Sequence, residues 1–286
     1  MSISVDPRLG FSYEATLKKS RSLIALVEEL HIPRSRVLIK IPATSAGIRA
    51  AHTLESKDGI HTNMTLIFSL VQALACAQAG VSVISPFIGR VKDWWAARAV
   101  EAGNPHGLDG QPLSEHPGIK LVHRIRAAYS KFGYRTQVMA AGFRKPEEII
   151  EVSRAGRHGG VDLVTLPPDL LDGLRCLDGK RNLGRAFTPS TDVTDSLPVI
   201  APVYFTADGS TEEGLDLFKR DSETEAISMD KVPEGLTKFS ADTDKLEEMV
   251  KNMVKAEVKV ESFKSSTSSA SVARNRNEHR RSVPVN

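Results

Sequence analysis

Cysteine is nearly absent from this chain: Cys76 and Cys176 are the only two in 286 residues. They lie far apart and form no CxxC pair, which excludes a disulfide scaffold and a cysteine-ligated zinc site and fits a reducing compartment. Long apolar runs are missing too. The longest, about Leu66 to Ala79, is interrupted by Ser69, Gln72 and Gln78, and no basic stretch followed by an apolar one comes after Met1. The expectation is a cytoplasmic protein with no membrane partner. Neither GxGxxG nor GxxxxGK[ST] occurs, so a nucleotide-binding doubly wound sheet has no signature here. The eight histidines include no HExxH and no pair with a carboxylate at ligand spacing. His116 and His123 read as incidental neighbours, and no metal is expected.

Excess charge is also scarce once its location is considered. The net +3 comes from the end of the chain, where residues 262–286 carry five basic residues against one acidic, leaving 33 basic and 34 acidic residues in the rest. That Ser- and Arg-rich end has too few apolar residues to offset its ordering entropy. Residues 261–286 are therefore expected to form a disordered tail and residues 1–260 the folded domain. The scattered arginines read as a solvated segment, and no nucleic-acid partner is expected.

The folded part alternates two kinds of segment. Val37–Ile41, Val81–Ser85, Thr136–Ala140 and Val161–Thr165 have strand length and composition, with Ile3–Val5 and Ile60–Asn63 as weaker candidates. Helix-period segments separate them: Leu17–Leu30, Ala46–Leu54, Phe68–Ala79, Ile119–Phe132 and Pro146–Arg154. Pro146 suits a first helical turn, and Gly80 and Gly133 suit helix C-termini. Pro189 to Gly214 reads as a long excursion, and Thr243–Val254 as a last amphipathic helix. Near-continuously apolar strands separated by helices predict an α/β fold with a parallel sheet, either a β/α barrel or an open doubly wound sheet.

One residue contradicts its surroundings. Lys40 lies in the apolar run Val37-Leu-Ile-Lys40-Ile41, where burial would lower the amine's pKa toward the range a nucleophile needs. Asn63 and Thr65 follow one strand, Ser85 ends the next with Arg90 just beyond, and Arg144 follows the strand at Val138. In a β/α barrel these ends share the C-terminal face, where active sites are built. An amine, three small hydrogen-bonding side chains and two guanidiniums suited to a phosphate monoester suggest imine chemistry on a phosphorylated sugar.

Val37-Leu-Ile-Lys40-Ile-Pro-Ala-Thr-Ser-Ala-Gly47 resembles the Schiff-base lysine motif of the transaldolase family. Gly59-Ile-His-Thr-Asn63-Met-Thr65-Leu-Ile-Phe-Ser69, Ser85-Pro-Phe87-Ile-Gly-Arg90 and Met139-Ala-Ala-Gly-Phe-Arg144 are similar to the segments that follow it. The resemblance runs from about residue 2 to 255. It implies a (β/α)8 TIM barrel that moves a dihydroxyacetone unit between sugar phosphates in the pentose phosphate pathway, without metal or organic cofactor, with a homodimer as an allowed assembly. By the same resemblance Lys40 forms the imine, Asn63 and Ser85 hold the three-carbon unit, and Thr65 holds a catalytic water. Arg90 and Arg144 bind phosphate, and Phe87 lines the site.

The chain departs from the pattern in three places. The family's first-strand Asp segment has no counterpart, so the barrel is expected to be incomplete, lacking its first two strands. Ser4 stands where a water-activating glutamate is expected, and Gly142 where a phosphate-side serine is. Asp6 is the nearest remaining carboxylate in sequence. These departures leave two alternatives: an aldol or retro-aldol enzyme of a specialised pathway, and a non-catalytic sugar-phosphate-binding relative.

Overall fold

The computed structural model describes residues 1–153, 160–177 and 197–279, with side chains described as far as Lys255. The chain divides into two compact units, Met1–Lys238 and Phe239–Asn286.

In the first unit, six strands follow one another in space as they do in sequence: β1 (Ser2–Ser4), β2 (Leu38–Pro42), β3 (Thr62–Ile67), β4 (Val83–Pro86), β5 (Gln137–Ala140) and β6 (Leu163–Val164). Every neighbouring pair is parallel. Strand order without a reversal is what distinguishes a barrel-type sheet from a doubly wound one. The sheet is a curled, six-stranded half-barrel.

The helices are α1 (Tyr13–Glu29), α2 (Ser45–Lys57), α3 (Leu70–Gln78), α4 (Ile88–Glu101), α5 (Pro117–Phe132), α6 (Pro146–Ser153), α7 (Pro168–Cys176), α8 (Glu212–Thr224) and α9 (Ala226–His279). The first three crossover helices are each started by a local signal. Ser12, Thr44 and Ser69 accept backbone N–H groups at the N-termini of α1, α2 and α3. Helix α5 ends on Gly133 in the left-handed region at φ 73°, a conformation glycine adopts without a Cβ penalty.

The core lies between strands and helices. All six residues of β3 are buried, as expected of a parallel strand covered on both sides. The α4–α5 crossing is close because Gly118 has no side chain: a Cβ there would sit 2.6 Å from Ile88 Cα.

Helices α4, α7 and α8 fall outside the elements expected from periodicity. Thr243–Val254 is the middle of the much longer α9, which carries Pro233 inside it. The boundary expected at residue 260 falls within α9, whose backbone is helical through His279, so that part of the expected tail has regular structure. Residues 280–286, and the part of the Pro189–Gly214 excursion before Leu197, lie outside the described residues.

Candidate active site

Parity along the strands decides which side chains meet. Ile39 and Ile41 are fully buried, and Lys40 between them projects to the opposite face of the sheet. Residues in register on parallel strands face the same way, and Lys40 is in register with Ser4 on β1 and Asn63 on β3, which pairs in turn with Val83 on β4. Two residues along β4, on the same face, Ser85 donates from Oγ to Asn63 Oδ1 at 2.8 Å. The Asn63 amide nitrogen lies 3.8 Å from Met139 Sδ on β5. One face of four adjacent strands thus gathers an amine, a carboxamide, a hydroxyl and a thioether.

Lys40 is half-buried, and burial lowers its pKa from the ordinary lysine value. Its Nζ lies 5.9 Å from the centroid of the Phe87 ring, and Arg90 Cζ lies 5.6 Å from the same centroid. The electron-rich ring thus has two cationic groups within cation–π reach. Phe87 is itself buried against Phe68, with centroids 6.1 Å apart. Thr65 is on the same face as Asn63, one step nearer the strand's C-terminal end. It is buried, and its Oγ1 has no hydrogen-bond partner among the described residues. An orphaned buried hydroxyl is costly and marks a place where a water or substrate oxygen would be satisfied.

Immediately after Thr65 the backbone is irregular. Leu66 has φ 61°, and the ladder to β4 slips between Met64 and Ile67. This bulge interrupts the pairing of β3 with β4 at the site before it resumes at Ile67 and Pro86, a recurrent use of bulges. Helix α9 passes over it at Gly235, where a Cβ would lie 2.7 Å from Leu66 Cδ2 and 3.1 Å from Arg90 Nη1.

The sequence places the two arginines together, and in the structure both bear on the first turn of α4. Arg90 belongs to that turn, and Arg144 lies against Gly89, where an added Cβ would be 3.1 Å from Arg144 Cγ. Arg144 is engaged elsewhere, however. Its guanidinium pairs with Asp93 Oδ2 at 2.7 Å and donates to Gly142 O at 3.1 Å, half exposed to solvent. Asp6 is also committed. Its carboxylate takes the Arg8 guanidinium at 2.6 to 3.0 Å, and that hydrogen bonding holds its pKa below the usual carboxylate value. A carboxylate so held is a poor proton donor near neutrality.

Two contributors to the site's surroundings, Gln72 and Gly235, escape a reading by periodicity. Gln72 had a signal: Ser69-Leu70-Val71-Gln72 has the spacing of a capping box at the start of a helix. Gly235 had none, because its neighbours Leu66 and Arg90 are remote in sequence. A cavity of about 600 Å³ lies beside the site and not over it. It is lined by Phe11, Thr44, Arg49, Phe218 and Met229 among others, and Lys40 is not in its wall.

The sheet and the side chains on its open face define a β/α-barrel type of protein with an amine-centred site. The comparison with known families agrees: the family Transaldolase/Fructose-6-phosphate aldolase matches residues 1–250. Transaldolase of Saccharomyces cerevisiae is 38% identical over 256 residues, which cover 90% of this chain and 69% of the yeast protein. The chain belongs to the transaldolase/fructose-6-phosphate aldolase family. Among the described residues, no helix is long and apolar enough to cross a membrane.

Proposed function

We propose that this protein is a transaldolase-type transferase that moves a dihydroxyacetone unit between sugar phosphates through a Schiff base on Lys40. The observation that carries the proposal is the half-buried amine of Lys40 in register with Asn63 on the open face of the sheet. Burial favours the neutral amine, the form that attacks a carbonyl. The amine nitrogen bonds to the ketose C2 and the carbonyl oxygen, with a proton taken up, leaves as water. The C4 hydroxyl then gives its proton to the water at Thr65 as the C3–C4 bond breaks. The bond's electron pair passes into the iminium to give the enamine, and C4 departs as the aldehyde of the released aldose phosphate. The three-carbon enamine stays on Lys40 until an acceptor aldose phosphate takes it, and hydrolysis of the new imine frees the lysine.

Asn63 and Ser85, already hydrogen-bonded to each other, hold the hydroxyls of the three-carbon unit. The free Oγ1 of Thr65 positions the water that enters and leaves at C2. Phe87 walls the amine from bulk water, which protects the enamine from hydrolysis. Arg90 takes the phosphate, and Arg144 joins it by exchanging Asp93 for the phosphate oxygens. The reaction belongs to the pentose phosphate pathway in the cytoplasm. The proposal requires no metal or organic cofactor.

Borohydride reduction in the presence of fructose 6-phosphate tests the reading. A three-carbon secondary amine on the Lys40 peptide by mass spectrometry, absent in Lys40→Met, is expected. An unmodified Lys40 peptide from the wild-type protein would overturn it.

A further inference from the structure

Gln72 is 2% exposed in the first turn of α3, and every polar atom of its carboxamide is used. Nε2 donates to Ala43 O and to Leu66 O, both at 3.0 Å. Oε1 accepts from Phe68 N at 2.9 Å, from Ser228 Oγ at 3.2 Å and from Ser69 Oγ at 3.4 Å. The partners fix the amide's orientation, since carbonyl oxygens can only accept and a backbone N–H can only donate.

These partners are not scattered. Ala43 follows β2, the strand of Lys40, and its N–H donates to Thr65 O. Leu66 is the left-handed residue of the bulge, a conformation that costs a non-glycine residue about 1–2 kcal/mol. Turned out of the ladder, its carbonyl is received by Gln72 instead. Phe68 leads from the bulge into α3, and Ser228 belongs to the first turn of α9. One side chain therefore replaces the sheet hydrogen bonding that the bulge interrupts, on either side of Thr65 and three residues from Lys40.

We propose that Gln72 is a positioning residue of the reaction. It holds the bulge at Leu66, and through it Thr65 and the end of the lysine strand, in reactive geometry, and couples that geometry to α9 through Ser228. The inference rests on the Schiff-base reading of Lys40 given above.

The discriminating variant is Gln72→Glu. It keeps the shape and the acceptor for Phe68 N but turns an oxygen toward two carbonyls. Near pH 8 the ionised variant should lose about 10²-fold in kcat, the scale of a roughly 1 Å misplacement, with KM for the sugar phosphates within about twofold. On acidification the buried carboxyl, its pKa raised by burial, takes up a proton and donates to one of the carbonyls again. The ratio of variant to wild-type kcat should then climb toward one as pH falls from 8 to 6. The charged groups that share the neighbouring cavity with Gln72 are Arg49 of α2 and Asp216, Lys219 and Glu223 of α8. Both proteins contain them, so the ratio isolates residue 72. Ser228→Ala removes only the bond to α9, and a loss in kcat of several-fold without a change in melting temperature is expected.

A pH-independent ratio, or an equal rise in KM and fall in kcat, would make Gln72 a packing residue and overturn the inference. A Gln72→Glu protein that does not fold, together with a Ser228→Ala protein of wild-type kcat, would do the same. A wild-type chain that forms no reducible adduct on Lys40 would instead overturn the reading beneath it, and the two failures are distinct.

Discussion

Replacing Glu148 by glutamine tests how the start of α6, next to Arg144, is held. Glu148 is wholly buried, and its Oε2 accepts from Arg144 N at 2.7 Å and from Lys145 N at 3.3 Å, at the start of α6. Its Oε1 faces His116 Nε2 at 3.4 Å. The His116 tautomer follows from its other nitrogen: Nδ1 accepts from Gly118 N and Ile119 N at the start of α5, so the proton is on Nε2, on the side of the ring nearest the carboxylate. In Glu148→Gln the new carboxamide can accept from Arg144 N only by turning its NH2 toward His116 Nε2–H, or the reverse. Either orientation buries a donor against a donor, which costs about 1–3 kcal/mol, and weakens bonds that the charge had strengthened by about 1 kcal/mol. Losing a buried charge recovers part of this. The net expectation is about 2 kcal/mol, or about 4–8 °C in melting temperature for a unit of this size.

The pH dependence identifies the cause. Burial by itself raises the Glu148 pKa, but the nearby His116 ring and the backbone donors of Arg144 and Lys145 outweigh it and hold it below the reference 4.5. Its contribution is complete above that reference and is lost as pH falls through the depressed folded-state value. Calorimetry of both proteins between pH 7 and pH 3 should show the gap closing on the acid side. Equal melting temperatures at pH 7, or a gap that does not change with pH, would refute the argument.

Three further outcomes follow from other parts of the molecule. Gly118→Ala drives a Cβ into the Ile88 backbone, 2.7 Å from its carbonyl carbon; a loss of about 3 kcal/mol by urea unfolding is expected, at the upper end for overpacking, and a neutral effect would mean that α4 and α5 cross less closely. In the native protein a thiol reagent should label Cys176, which is exposed, and spare Cys76, which is buried with its thiol pKa pushed up; one fast and one unfolding-limited equivalent is the expected count. The rate of borohydride trapping at Lys40 should rise with pH to a plateau whose midpoint lies below the reference lysine value of 10.5, because only the neutral amine attacks, and a midpoint at or above that value would contradict the burial argument.

Local chemistry made much of this architecture legible. Five of the helices and five of the strands lie where periodicity and composition put them, because spacing along the chain reports which face of a local segment is buried. Strand β3, expected at Ile60–Asn63, instead runs Thr62–Ile67, so that Asn63 and Thr65 lie within the strand and not after it. The bounds moved by a few residues where a cap decided them, as at Thr44 and Ser69. Helix α4 was not legible from its apolar spacing, and the start of α9 is stabilised by bonds to distant residues: Asp230 accepts from Trp94 Nε1 at 2.8 Å and from Arg98 at 2.9 Å.

For the site, the sequence alone determined that Lys40 is anomalous: a charged group in an apolar strand is unfavourable wherever that strand packs. Only the tertiary structure decided what the amine faces. The register that sets Lys40 beside Asn63, the bulge at Leu66 and the engagement of Arg144 with Asp93 all depend on how crossovers align strands and helices that are tens of residues apart. Local spacing carries no information about that alignment. It arises when the strands close against one another and every buried polar group must find a partner.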